Sequence, residues 1–283
     1  MITYKDVNKT YGEITAVRDL NLEIKDGDFF GLLGPNGAGK TTIMRMTATL
    51  TPPTSGTIEI NGEPIHRDLT KAKQKLGIVP QYSNLESDLN AYENLEFHGR
   101  LYGLPKELRR KRIDELLEFA DLTSRKKDSA RTFSGGMQRK LMIAKTLMHD
   151  PEILLLDEPT VGLDATTRRK IWDFLRQLRE QGKTIFMTTH YLEEAQALCE
   201  KVGLIDDGRL VLLDSPEQII KQAGRFVLDY FQDGKTSQLF FEDRESAITA
   251  AEGIEGSFKV REANLEDVFI KLTNKDLGVR NEV

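Results

Sequence analysis

Gly34-Pro35-Asn36-Gly37-Ala38-Gly39-Lys40-Thr41-Thr42 is the stretch on which the reading of this chain turns. It matches the phosphate-loop pattern G-x-x-x-x-G-K-[ST], and its flanks fit as well. The apolar run Phe29-Phe30-Gly31-Leu32-Leu33 predicts a buried strand leading in, and Thr42-Ile43-Met44-Arg45-Met46 predicts a helix leading out. Glycines at those spacings let the backbone curl until successive N–H groups face one anion, and the helix start adds its positive dipole end. In such a loop Lys40 reaches the β- and γ-phosphates of a nucleoside triphosphate, and the Thr41 hydroxyl ligates Mg²⁺.

Outward from that loop, strand and helix patterns alternate to about residue 220, which predicts an α/β fold with a mostly parallel sheet. Short alternating stretches between Ile2 and Ile24, and Thr57-Ile58-Glu59-Ile60 ending at the turn signal Asn61-Gly62, predict a small antiparallel sheet beside the nucleotide. Strand signals vanish over residues 85–150. Helical periodicity in Tyr92–Tyr102 and Lys106–Phe119 marks a helical insert there. Strands return at Ile153–Leu156 and Thr184–Met187, separated by a helix with the apolar stripe Ile171, Phe174, Leu175 and Leu178 and a stop at Gly182. Asp207-Gly208 turns a last hairpin. The expected domains are residues 1–222 and a small α+β extension over residues 223–283, with short strands and a closing helix Leu265–Leu272.

Composition limits the remaining classes. The 283-residue chain is 39% hydrophobic and 30% charged, as in ordinary globular proteins. Its net charge of -5 opposes a nucleic-acid-coating role, so no nucleic-acid partner is expected. The basic runs Arg109-Arg110-Lys111-Arg112 and Arg125-Lys126-Lys127 read first as a solvated helix face and its following turn. One cysteine, Cys199, fits packing in a reducing compartment. The N-terminus lacks the features of a secretory signal, and no apolar stretch approaches bilayer length. A membrane role therefore calls for a membrane-spanning partner.

Two further segments bear chemistry. Ile153-Leu154-Leu155-Leu156-Asp157-Glu158 is a buried strand ending in two carboxylates, at the sheet edge where ligands of parallel α/β folds sit. Asp157 there suits Mg²⁺, and Glu158 suits the attacking water. Phe133-Ser134-Gly135-Gly136-Met137-Gln138 is a second small-residue turn opening a helix, hence a second anion-binding end. Two such ends in one chain invite a pair of chains facing each other.

The order of phosphate loop, Gln81, Ser134-Gly135-Gly136, Asp157-Glu158, Gly162-Leu163-Asp164 and His190 resembles the ATP-binding cassette (ABC) ATPases, P-loop NTPases, over about residues 1–220. The resemblance implies ATP and Mg²⁺ as cofactors, with Thr41, Gln81 and Asp157 on the metal. It implies Tyr11 stacked on adenine with Val17 completing that pocket, and Gly34, Pro35, Asn36, Gly37, Ala38, Gly39, Lys40, Thr41 and Thr42 around the phosphates. Ser134, Gly135 and Gly136 resemble the signature that meets the opposite subunit's γ-phosphate, and Asp164 the aspartate that crosses between subunits. Glu158, Gln81 and His190 take the hydrolytic roles. The implied partners are a second copy of the chain and separate transmembrane permease subunits, placing the protein on the cytoplasmic face of a membrane. Phe133 in place of the common leucine, Met137 in place of glutamine, and the tail Asn264-Leu265-Glu266-Asp267-Val268-Phe269 resemble the bacterial drug- and antibiotic-exporting subgroup. The expected function is thus the ATPase subunit of an exporter; the ATPase of an importer and a soluble non-transport ABC ATPase stand as alternatives. Asn274-Lys275-Asp276 imitates a guanine-reading Asn-Lys-x-Asp, but Leu277 breaks the match.

Overall fold

A computed structural model describes residues 1–66, 69–232, 234–254 and 256–273. The Asn274-Lys275-Asp276 stretch lies outside the described residues. The elements run β1 (Ile2–Tyr11), β2 (Ile14–Ile24), β3 (Phe29–Leu33), α1 (Lys40–Thr47), β4 (Ser55–Ile60), β5 (Glu63–Pro64), α2 (Leu69–Lys75) and β6 (Leu76–Val79). Helices α3 (Ala91–Leu101), α4 (Lys106–Phe119) and α5 (Gly135–Thr146) follow, then β7 (Ile153–Asp157), α6 (Ala165–Glu180), β8 (Thr184–Thr189) and α7 (Leu192–Leu198). The chain continues through β9 (Lys201–Asp206), β10 (Arg209–Asp214), α8 (Pro216–Ala223), β11 (Phe226–Gln232), β12 (Lys235–Phe241), α9 (Arg244–Ala251), β13 (Phe258–Glu262) and α10 (Leu265–Thr273).

Among the described residues the strands form three sheets. β2-β1-β4-β5 is antiparallel, as the early turn signals predict. The central sheet runs β10-β9-β3-β8-β7-β6, with β3, β8, β7 and β6 mutually parallel. The third is β12-β11-β13, antiparallel. A shared core fills the space between the first two sheets, from Ile2, Tyr4 and Leu20 to Phe30, Ile43, Met46 and Phe186. Phe30 and Phe186 meet edge to face at 5.6 Å, and the buried Tyr4 hydroxyl pairs with Thr47 Oγ1 at 2.5 Å. That bond ties β1 to α1, and burial pushes the Tyr4 phenol well above its ordinary range.

β6 is an element that sequence periodicity does not announce. It has four residues and directly follows the charged helix α2. Gly77 makes it possible, because a Cβ there would sit 2.5 Å from Thr146 Cγ2 and 2.8 Å from both Leu154 Cδ2 and Pro151 Cγ. In α6 all four stripe residues are buried, and Gly182 closes the helix at a φ of 83°. Ion pairs absorb most of the basic runs: Arg109 with Glu96, Arg110 with Glu107, Lys111 with Glu115, Arg112 with Asp150, Arg125 with Asp128 and Lys126 with Asp114. Among the described residues, no helix is long and apolar enough to cross a membrane.

Packing divides the chain into two compact units, Met1–His190 with Gly203–Leu212, and Tyr191–Val202 with the chain from Leu213 onward. This division differs from a cut at 222/223 by assigning α7 and α8 to the later unit, where α10 packs on both. The exporter-like tail motif has a local physical reason. Asn264 Oδ1 accepts from the Asp267 amide at 3.1 Å while Asp267 Oδ2 accepts from the Asn264 amide at 2.8 Å, a reciprocal cap on α10. The Arg261 guanidinium then joins Asp267 (2.6 Å) to Asp229 (2.7 Å), binding that cap to the third sheet.

His98 on α3, Tyr102 beyond its end and His149 form one aromatic cluster, with Tyr102 stacked on His149 at 3.7 Å. His149 Nε2 pairs with the Leu76 carbonyl oxygen at 3.1 Å. Burial first, then His149 and Lys145, push the His98 imidazole down to about 4. Burial also lowers His149; Arg112 and Lys183 add to this, while the Leu76 carbonyl and Asp150 oppose it. The unfolded chain protonates His98 near its ordinary value of about 6.5, so the stability it contributes is complete above that pH and lost as pH falls toward 4. Urea unfolding midpoints of the wild type are expected to decline from pH 6.5 to 4, and His98→Phe, which keeps the ring but cannot titrate, is expected to flatten that decline. An equal decline in both proteins removes His98 as its source.

Candidate functional site

β3 is buried along its whole length, and the chain leaves it into the glycine loop. A Cβ on Gly34 would stand 2.2 Å from the Ile205 carbonyl oxygen, and one on Gly39 would stand 2.5 Å from that of Ala16. Gly37 and Gly39 have φ of 85° and 108°. The loop is thus wedged between β2 and β9, and only glycine fits at its two ends. Helix α1 begins at Lys40 with Gly39 at its cap position and no side-chain cap, which leaves its first amides aimed out of the loop. Lys40 Nζ donates to the carbonyl oxygens of Gly34 (2.7 Å) and Pro35 (3.0 Å). Burial lowers the Lys40 ammonium, while Glu158 and Asp157 pull it back up, which places both carboxylates in its electrostatic field.

The parallel ladders explain that proximity. Leu33 pairs with Thr189, and Asp157 with Thr188, so β3, β7 and β8 end level with one another. Gly34, Glu158 and His190 are each the first residue beyond a strand, and they fall on one edge. Thr188 Oγ1 donates to Asp157 Oδ1 at 2.5 Å, and the Glu158 amide donates to the Thr188 carbonyl oxygen at 3.1 Å. Glu158 adopts a left-handed backbone, φ 47°, which turns its side chain back onto this edge. Its Oε2 lies 2.6 Å from His190 Nδ1. A carboxylate accepts, which assigns the shared hydrogen to Nδ1.

Gln81 follows β6 by two residues and so leaves the same edge beside β7. Its backbone is held from α5: Arg139 donates to the carbonyl oxygens of Pro80 (2.8 Å), Gln81 (3.0 Å) and, more weakly, Glu158 (3.4 Å). Ser134 caps α5, its Oγ accepting from the Met137 amide at 3.3 Å. Gln138 turns its amide back to the Ala130 and Phe133 carbonyl oxygens. A Cβ on Gly136 would meet Thr167 Cγ2 at 2.3 Å, and one on Gly135 would meet Leu163 Cδ2 at 3.2 Å. The glycine turn therefore abuts the start of α6. Asp164 caps that helix, accepting from the Thr167 amide (2.9 Å) and hydroxyl (2.6 Å), and these bonds hold its carboxyl below the usual range. Tyr11 stands half-exposed at the tip of the first hairpin with Lys9 Nζ 4.8 Å over its ring. Val17 is fully buried, its Cγ2 3.5 Å from the Gly39 Cβ position, so it supports the loop from below.

Residues 17–161 match the family model described as ABC transporter, a span of just over half the chain. The chain belongs to the ABC transporter family. It is 42% identical to the Nod factor export ATP-binding protein I of Cupriavidus metallidurans, over 98% of both chains. It is 44% identical to the linearmycin resistance ATP-binding protein LnrL of Bacillus subtilis, over 79% of this chain and 72% of that one. Among solved structures it is similar to a dimeric, post-hydrolysis state of the ATP-binding cassette MJ0796 bound to ADP and Pi. That likeness has a TM-score of 0.69 and 35% identity, over 76% of this chain and 98% of the cassette. In ABC terms, the structure gathers the phosphate loop, Asp157, Glu158 and His190 on one edge. It places Ser134–Gly136 against the start of α6, the helix that Asp164 caps.

Sequence reading passed over three residues of this site. Thr188 lay in a run of two threonines, and strand alternation aims it at Asp157. Arg139 and Lys145 are cations in a helix, yet both are buried. Their signal was position: 139, 142, 143 and 146 share the apolar face of α5, and 145 borders it. Thr188→Val removes the hydroxyl that fixes Asp157 at nearly constant volume. ATP hydrolysis is expected to fall roughly tenfold or more as the part-buried Asp157 carboxylate loses the donor that orients it, and a steady-state rate equal to wild type refutes that role.

Proposed function

We propose that residues 1–222 act as an ATP-hydrolysing cassette and residues 223–283 as an accessory domain. The reading rests on one observation above all: Glu158 and His190 meet at 2.6 Å on the strand edge from which the phosphate loop springs. The hard oxygen donors Thr41 and Asp157, with Gln81 on the neighbouring loop, suit Mg²⁺, which keeps several waters and takes few carboxylates. Bound with the nucleotide, Mg²⁺ neutralises charge on the β- and γ-oxygens.

Glu158 accepts a proton from the attacking water, and His190, fixed by its Nδ1 bond to Glu158, presents its ring toward the γ-phosphate. Lys40 and the amides of Gly37 through Thr42 supply fixed positive charge where the transferring phosphoryl group gains negative charge. Tyr11 offers a face for adenine, with Val17 holding the loop beneath. Ser134, Gly135 and Gly136, with Ser134 and Gly135 exposed at the start of α5, complete the γ-phosphate shell of a second copy. Asp164 lies at the same seam. The protein works as a homodimer that closes on two ATP molecules, and closure drives separate transmembrane permease subunits of an exporter. Similarity to export and resistance ATP-binding proteins supports that direction, and attachment to the cytoplasmic face of the membrane comes through those permeases.

Glu158→Gln is expected to bind ATP but to lose turnover by roughly 100-fold or more, and to accumulate as an ATP-bound dimer on gel filtration. Near-normal hydrolysis by that variant removes Glu158 from its role. Lys40→Ala removes a charged donor and is expected to weaken ATP binding by about 10- to 100-fold in calorimetry. The specific hydrolysis rate of the wild type is expected to fall on dilution; a constant rate with no dimer at any concentration refutes the paired site.

A further inference from the structure

One face of α5 grips the backbone of the loop that carries Gln81. Arg139 donates to the carbonyl oxygens of Pro80 and Gln81, Lys145 Nζ to that of Asn84 at 2.5 Å, and Thr146 Oγ1 to that of Ile78 at 3.2 Å. Residues 139 and 146 are one heptad apart and so share a face, with 145 beside it. Arg139 and Lys145 are 6% and 7% exposed, so both cations lie in the interior and spend donors on main-chain oxygens. Arg139 differs from the other two in also reaching across to the Glu158 carbonyl oxygen, at 3.4 Å. That peptide carries the left-handed backbone which sets the direction of the Glu158 side chain.

We propose that Arg139 is a positioning residue of the hydrolytic site, locking the Gln81 loop and the Glu158 backbone to the signature helix. It does not touch the reacting atoms. It acts through two backbones, and it sits four residues beyond Gly135, at the end of the helix that meets the second copy's nucleotide. A shift of that helix on engaging a γ-phosphate therefore moves Gln81 and Glu158 of the same chain. Guanidinium geometry suits the task, since one planar fork spans three carbonyl oxygens where a lysine ammonium does so poorly. The inference rests on the cassette reading above.

Arg139→Lys, which retains the buried charge, and Arg139→Gln are compared with wild type in the full-length chain. The expected result is a kcat lowered by about tenfold or more, from misplaced groups, with KM for ATP and its calorimetric Kd within about threefold of wild type. Amide hydrogen exchange over residues 80–84 is expected to rise in both variants, with exchange in β11–β13 unchanged. If Arg139→Gln does not fold, Arg139→Lys decides. A kcat within about twofold of wild type overturns the proposal, and so does a kcat loss that merely parallels loss of folded protein by thermal unfolding. Absence of hydrolysis by the wild type itself removes the cassette reading instead, whereas active wild type with an unimpaired Arg139→Lys removes this inference alone.

Discussion

The register of three parallel strands carries the whole site. Because Leu33 lies beside Thr189, and Thr188 beside Asp157, the chain leaves β3, β7 and β8 at one level. The residues that follow are a glycine, a glutamate and a histidine. A shift of two residues in the β7–β8 ladder would preserve every inward-facing side chain, yet separate Glu158 from His190 by about 7 Å along the strand; the same slip between β3 and β8 would carry the phosphate loop away from both. What prevents such a slip is the packing at the ends. Gly34 is pressed against the Ile205 carbonyl, and Thr188 is bonded to both Asp157 and the Glu158 amide.

Around that edge the helical insert serves as a second frame. The buried cations of α5 hold the stretch from Pro80 to Asn84 through its own carbonyl oxygens, with the Thr146 hydroxyl on that of Ile78 just before it, an arrangement that fixes a loop without giving it regular structure. Asn94, fully buried on α3, does the same farther on, bonding the Glu86 amide and the carbonyl oxygens of Glu86, Leu89 and Asn90. The segment between β6 and α3 is therefore an irregular path held through many of its main-chain carbonyl oxygens.

Much of this was legible in the residues. The phosphate loop, the strand ending in Asp157-Glu158, the early antiparallel sheet and the stripe of α6 each follow from periodicity and turn chemistry acting over a few neighbours. β6 was not legible, because four residues carry too little pattern and its partner β7 lies far along the chain. Arg139 and Thr188 were missed for a related reason. Their meaning comes from carbonyls and carboxylates that only the tertiary fold brings near, and a cation in a helix reads as solvated until its surroundings are known. The assignment of α7 to the later unit likewise depends on its packing with α10 and leaves no mark on local sequence.

The left-handed backbone at Glu158 has a consequence for how this chain can change. A side chain in that conformation costs on the order of 1 kcal/mol relative to glycine. Selection for thermal robustness alone would drift position 158 toward glycine or asparagine. Libraries screened only for heat tolerance should therefore enrich inert proteins at this site, and the glutamate marks where durability has been conceded to chemistry.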